Sequence, residues 1–207
     1  MPARRLLIAV CALALTACTP LIDDPSSPST AAPAASETSG NESTTADAQA
    51  PTFELGEFDP EGDFELFDPC TEIPAEVLTE AGMGEQVGET FADRNMSVRC
   101  NFIAPEYFRS LGSLALTGDR NPKTKIVERG LMVQDPAVSK VPGAYLHALT
   151  VGESDACHAA VHTTRGRFIV NYSEVSPVRS HDEICAIALD RLEFFYNKLG
   201  ESNGSTD

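Results

Sequence analysis

Apolar and polar positions divide the chain into three stretches. Leu6 to Leu15 is an apolar run behind Arg4 and Arg5. Thr19 to about Gly62 is rich in Ser, Thr, Ala, Pro, Gly and acid, with few large apolar residues before Phe53. Such a stretch buries too little surface to offset its ordering entropy. Periodic patterns follow, so we expect one globular domain over residues 64–200, starting at Phe64, with 201–207 as a loose tail. Pro74 to Ala81 predicts a short helix closed by Gly82, with Val77, Leu78 and Ala81 inward. Met96 to Ile103 alternates, with Met96, Val98, Cys100 and Phe102 on one face, and predicts a half-buried strand. Leu111 to Thr117 predicts another strand before the turn Gly118 to Pro122. Lys123 to Val133 fits helix or strand, with helix favoured at its start. Tyr145 to Val151 predicts a strand, and Cys157 to Thr163 with Arg167 to Tyr172 a hairpin around Gly166. Ser180 and Glu183 form a capping box. Ile184, Ala188, Leu192, Phe195 and Leu199 then follow at helical spacing up to Gly200. The expected fold class is α+β: an antiparallel sheet packed by helices, the long C-terminal helix among them.

The first stretch has the charged start, short apolar core and small-residue exit of a secretory signal peptide over residues 1–17. It is shorter than the roughly 20 apolar residues that a membrane span needs. Leu15-Thr16-Ala17-Cys18 resembles a bacterial lipobox, which makes Cys18 the first mature residue and the site of lipidation. The alternative is a plain signal peptide with Cys18 incidental. Arg4-Arg5 lacks the flanks of a twin-arginine signal. Each buried acyl CH₂ adds roughly 0.8 kcal/mol of membrane affinity, and stable anchoring takes more than one chain. The expected partner of Cys18 is therefore the cell membrane, with the domain on its extracytoplasmic side. Residues 18–63 then read as a tether with a reach of roughly 35–40 Å.

Charge sharpens this division. The net charge is −16, and 18 acidic residues but no Lys or Arg lie between Leu6 and Asp93. From Arg94 onward 13 acidic residues face 13 basic ones. So acidic a chain repels phosphate backbones, which argues against nucleic-acid binding. Cys70, Cys100, Cys157 and Cys185 remain once Cys11 leaves with the leader and Cys18 is lipidated. An even number in an exported chain reads as two disulfides, with three possible pairings. Cys70–Cys100 and Cys157–Cys185, two local loops of similar size, are favoured, each stabilising by roughly 3–4 kcal/mol. The second would tie the last helix to a strand. A four-thiolate zinc site lacks the usual CxxC-type spacing.

The sequence carries few residues in patterns that point to chemistry. His158 and His162 share a strand face but lie about 13 Å apart, too far for one zinc ion. All four histidines, His147 and His181 included, read as exposed or edge residues, and Cys157-His158 is badly placed as a thiol nucleophile because adjacent strand residues point to opposite faces. Asp59 to Asp63 is acidic without the spacing of a calcium loop. No catalytic, metal or cofactor residue is predicted. A small echo, Phe53-Glu54-Leu55 before Phe58-Asp59-Pro60 and Phe64-Glu65-Leu66 before Phe67-Asp68-Pro69, reads as linker duplication or as a free copy that binds a partner.

Phe67-Asp68-Pro69-Cys70 with its following helix resembles actinobacterial lipoproteins grouped as domain of unknown function 3558. The resemblance extends to Arg99-Cys100-Asn101-Phe102, to Cys157 and to Cys185, and covers Phe64 to Leu199. Many relatives carry Trp where this chain has Phe102. It implies an envelope lipoprotein, with an α/β/α sandwich as the variant of the fold, and carries over no catalytic residue. The expected function is a noncatalytic binding or scaffolding module for a small ligand or an envelope protein. The alternative is an envelope enzyme or transport accessory with a site assembled from unrelated positions. An apolar cavity would favour ligand carriage, and converging carboxylates or histidines with shifted pKa values would favour catalysis.

Overall fold

A computed structural model describes residues 53–104, 112–136 and 139–201. The expected leader, Cys18 and most of the expected tether lie outside the described residues. One seven-stranded antiparallel sheet organises the rest, in the order β1-β2-β3-β7-β6-β5-β4. Its strands are β1 (Gln86–Asp93), β2 (Ser97–Ile103), β3 (Gly112–Asp119), β4 (Met132–Gln134), β5 (Tyr145–His147), β6 (Ala156–Thr163) and β7 (Gly166–Glu174). Among the described residues three helices join them: α1 (Ala75–Glu80), α2 (Lys123–Glu128) and α3 (His181–Glu201). No helix among the described residues is long and apolar enough to cross a membrane.

Helix α3 carries the main core. Its stripe of Ile184, Ala188, Leu192, Phe195 and Leu199 is buried. It packs on β6 and β7, whose Cys157, Ala159, Phe168 and Val170 belong to the same cluster. Each Ile, Leu, Val or Phe among them, fully buried, contributes roughly 1.5–3 kcal/mol. The capping box forms as expected: the Ser180 N–H donates to Glu183 Oε2 at 2.8 Å. The helix runs through Gly200 to Glu201 rather than ending at it. The disulfides are Cys70–Cys100 and Cys157–Cys185. The second joins β6 to α3, and both consume the thiols that a zinc site or a Cys157 nucleophile would need.

Several elements depart from expectation. The domain begins before Phe64: Phe53 is buried, with its ring edge-on to Phe67 at 5.7 Å and to Phe168 at 5.4 Å. Both copies of the echo are therefore docked, since Phe58 also packs on Phe64. Strand β1 gave no usable pattern because all eight of its residues are exposed. It turns into β2 through Arg94 and Asn95, both at positive φ, as a tight hairpin of right-handed strand twist requires. Met96, expected inward, is exposed in that turn. The segment Lys123 to Val133 splits into helix α2 and strand β4. Strand β5 stops at His147, and the exposed Leu149 and Val151 lie in the turn beyond it.

The Phe67-Asp68-Pro69-Cys70 segment is a clasp. A Cβ on Gly118 would meet Phe67 O at 2.1 Å, so only glycine lets the segment cross β3 there. Asp68 Oδ1 accepts the Cys70 N–H at 2.8 Å. Arg165 from the β6–β7 turn donates to both oxygens of Glu72 at 2.7 and 2.8 Å, the bidentate geometry that makes Arg–carboxylate pairs strong.

Candidate functional site

The edge of β6 is shared by two segments. Strand β5 covers one part, from Tyr145 opposite Ala160 to His147 opposite His158. Residues 54–57 form a strap over the next part: the Gly56 N–H donates to His162 O at 3.3 Å, and the Thr164 N–H to Glu54 O at 2.9 Å. Where strap and β5 diverge, α2 and the Pro142-Gly143 turn enclose an open cleft of about 800 Å³. Its walls are largely apolar, from Leu55, Pro122, Val127, Pro142, Tyr145 and Val161. Glu57, Lys123, Glu128 and His162 supply its polar groups.

His162 fastens this site together. Its Nε2 accepts the Lys123 backbone N–H at 3.2 Å, which leaves Nδ1 to carry the proton and donate to Glu57 Oε2 at 2.9 Å. One ring thus joins the strap to the start of α2. Phe58 and Tyr145 stand edge-on to it at 5.1 and 5.9 Å. Lys123 Nζ pairs with Asp135 at 2.7 Å and sits 4.9 Å from the Tyr145 ring centroid.

Behind Tyr145 lies a buried polar network on the sheet face opposite α3. Arg167 donates to both oxygens of Asp119, at 2.9 Å from Nε and 2.6 Å from Nη2. Its Nη1 donates to Tyr145 Oη at 3.3 Å and approaches His147 Nε2 at 3.4 Å. Burial raises the Tyr145 hydroxyl above its ordinary pKa, against the opposing charge of Arg167. His147 stacks on His158, with ring centroids 5.0 Å apart. Burial, helped by the positive charge of Arg167, pushes His147 down to about 4. Burial, then His147 and Arg99, push His158 down to about 3. Both rings are therefore neutral at pH 7. The 3.7 Å approach of Glu153 to His158 is thus a polar contact and not an ion pair.

The structure separates the four histidines by role. His162 lines the cleft, while His147 and His158 form the buried stack. His181 opens α3, within 4.8 Å of the Cys157–Cys185 sulfurs. The stack escaped sequence reasoning because His147 meets His158 only through the β5–β6 register, which neither segment encodes alone. Asp59, in the acidic run, caps its own turn: its Oδ1 accepts the Glu61 N–H at 3.1 Å. The strap was hidden by its glycine and acid, although Phe53, Leu55 and Phe58 were a signal that it packs.

A family model described as protein of unknown function (DUF3558) matches residues 13–198. No curated protein matches the chain, and no solved structure does either.

Proposed function

The chain belongs to the DUF3558 family, and from that premise we propose that it is a lipid-anchored, extracytoplasmic binding module that carries a small molecule with an apolar body. The observation behind this reading is the cleft of about 800 Å³ with apolar walls and few polar groups. That size and lining suit a small-ligand site. Several of the polar groups around it are already engaged. His162 uses both ring nitrogens, Tyr145 Oη meets Arg167, and Lys123 Nζ meets Asp135. Holding a ligand, rather than activating a nucleophile, suits such a set.

The address rests on the leader and on Leu15-Thr16-Ala17-Cys18, which the family match takes in. Two disulfides suit an oxidising compartment. An anchored domain would present the cleft to molecules of the cell envelope, and its acidity would keep nucleic acid away.

Two measurements test the two halves of the proposal. A neutral apolar dye, N-phenyl-1-naphthylamine, should bind the full chain with a saturable rise in fluorescence. Val127→Trp, at an exposed wall position, should weaken that binding about tenfold, or about 1.4 kcal/mol. Equal binding by both proteins would refute the cleft as the site. Cys18→Ala should move the protein from the membrane fraction to the soluble fraction, and continued sedimentation with membranes would refute the anchor.

A further inference from the structure

Carboxylates outnumber cations two to one in this chain, 31 to 15, and its interior arginines are mostly neutralised. Arg165 meets Glu72, Arg167 meets Asp119 and Arg179 meets Glu174. Arg120 donates to the carbonyls of Asn95, Gly62 and Phe64. Arg99 differs. It is half-buried on β2, and among the described residues its one hydrogen bond runs from Nε to Asn101 Oδ1 at 3.0 Å. Among the described residues no carboxylate lies within ion-pair distance of it. Burial pushes its guanidinium below the ordinary range, as expected of a cation removed from water without a counter-charge.

The sheet register shows what surrounds this charge. Arg99 sits opposite Phe91 on β1 and opposite Thr117 on β3. Directly opposed residues share a sheet face, so all three lie on the face away from α3. Asn101 sits opposite Val87 on the same face. Phe91 and Val87 are 59% and 49% exposed, although both are large and apolar. An unpaired guanidinium fork, an amide and a hydroxyl thus lie beside two exposed apolar side chains.

We propose that this face binds an organic carboxylate: the anion is held by Arg99, with Asn101 and Thr117 beside it, and an apolar body lies on Phe91 and Val87. The fork of Arg99 matches a carboxylate bidentately. Phe91 and Val87, exposed on the edge strand β1, offer apolar surface to a flat ring or short chain. This site shares the sheet face of Tyr145 and His162 but lies on β1–β3 rather than β5–β6, and does not depend on the cleft's ligand.

Benzoate is the probe. Titrated into the full chain, it should give saturable NMR shifts at the Arg99 side-chain Nε–H and at the Thr117 amide. The cleft residues Val127 and Gly143 should not move. Arg99→Gln should weaken binding about tenfold and leave the unfolding midpoint unchanged or higher, because removing an unpaired, partly desolvated charge relieves the fold. Arg99→Lys, which keeps the charge but loses the fork, should also weaken it. Phe91→Ala should weaken benzoate and leave acetate unaffected. Shifts that never saturate, or that persist equally in Arg99→Gln, would overturn the site. A lowered midpoint in Arg99→Gln would make the arginine structural and overturn it as well. Inorganic phosphate binding more tightly than benzoate, with no effect of Phe91→Ala, would overturn the assignment to a carboxylate with an apolar body.

Discussion

His147 and His158 are direct partners across β5 and β6, and their rings stack at 5.0 Å with 19° between planes. The same face carries Arg167, whose Nη1 lies 3.4 Å from His147 Nε2. Two imidazoles this close, beside a buried guanidinium, are tolerated only while both are neutral. His147 Nδ1 points to the Ala148 carbonyl at 3.0 Å, which requires its proton there and leaves Nε2 as the acceptor for Arg167. Neutral His158 takes a hydrogen bond from Asn171 on β7 at its Nε2, at 3.3 Å. The stack thus ties short β5 to the central strands, and with it one wall of the cleft.

Acid should therefore weaken the fold. The folded values of about 4 for His147 and about 3 for His158 lie below the ordinary 6.5. Between these values the unfolded chain binds protons that the folded chain refuses, so stability rises with pH. The contribution is complete above about pH 6.5 and is lost as pH falls through 4 and then 3. Each histidine changes stability by about 1.4 kcal/mol per pH unit within its window. Urea midpoints should hold from pH 7.5 to about 6.5 and fall steadily from there to pH 4. Replacing His158 by Gln should flatten the slope, and a slope identical to that of the native chain would reject the stack as its source.

The Arg167–Asp119 pair should be costly to break on one side. Asp119→Asn keeps the shape but leaves Arg167 buried without a counter-charge, which costs about 3–5 kcal/mol. Adding Arg167→Met should restore part of the loss, because two neutral groups need no pairing. Thermal unfolding of the single and double variants decides this. A double variant as unstable as Asp119→Asn would show that the pair's charge is not what matters.

The cysteine framework, the C-terminal helix and the central hairpin were legible in the sequence because each rests on local signals. Ser180 with Glu183 starts α3, the stripe from Ile184 to Leu199 fixes its buried face, and Gly166 marks the hairpin. The cleft was not legible, because Leu55, Val127, Tyr145 and Val161 come from four segments that meet only in the fold. The clasp was legible as a motif but not as a function. Phe67 is core, Asp68 caps a turn and Cys70 is cross-linked, so the residues most easily recognised build the domain rather than its site. Arg99 was legible only as the polar side of an alternating strand, since its lack of a counter-charge among the described residues is a property of the assembled sheet.

Removing the Cys157–Cys185 bond tests how far α3 depends on its staple. The bond closes a sequence separation of 28 residues. Cys157→Ala with Cys185→Ala should cost about 2–5 kcal/mol. The helix should still form, because Leu192, Phe195 and Leu199 bury independently of it. Far-ultraviolet circular dichroism should be kept while the unfolding midpoint falls. Loss of helix signal at low temperature would mean that the sulfur bridge, and not the apolar stripe, holds α3.

The strap is the last dependency. Phe53 packs on Phe67 and Phe168, and Leu55 bridges to Thr163, so a chain beginning at Phe64 would lose a core aromatic and one wall of the cleft together. Phe53→Ala should cost about 3–5 kcal/mol, the usual penalty for emptying a buried aromatic position. Glu57→Gln should cost little stability, because its carboxylate is 90% exposed at the side chain and exposed pairs contribute about 1 kcal/mol or less. It should nevertheless weaken the hold of His162 on the strap and raise the off-rate of N-phenyl-1-naphthylamine. Measured side by side, unfolding midpoints should separate Phe53→Ala from Glu57→Gln, and dye off-rates should reveal the effect of Glu57→Gln. If Phe53→Ala unfolds like the native chain, residues 53–57 are not part of the folded domain, and the cleft they wall loses its basis.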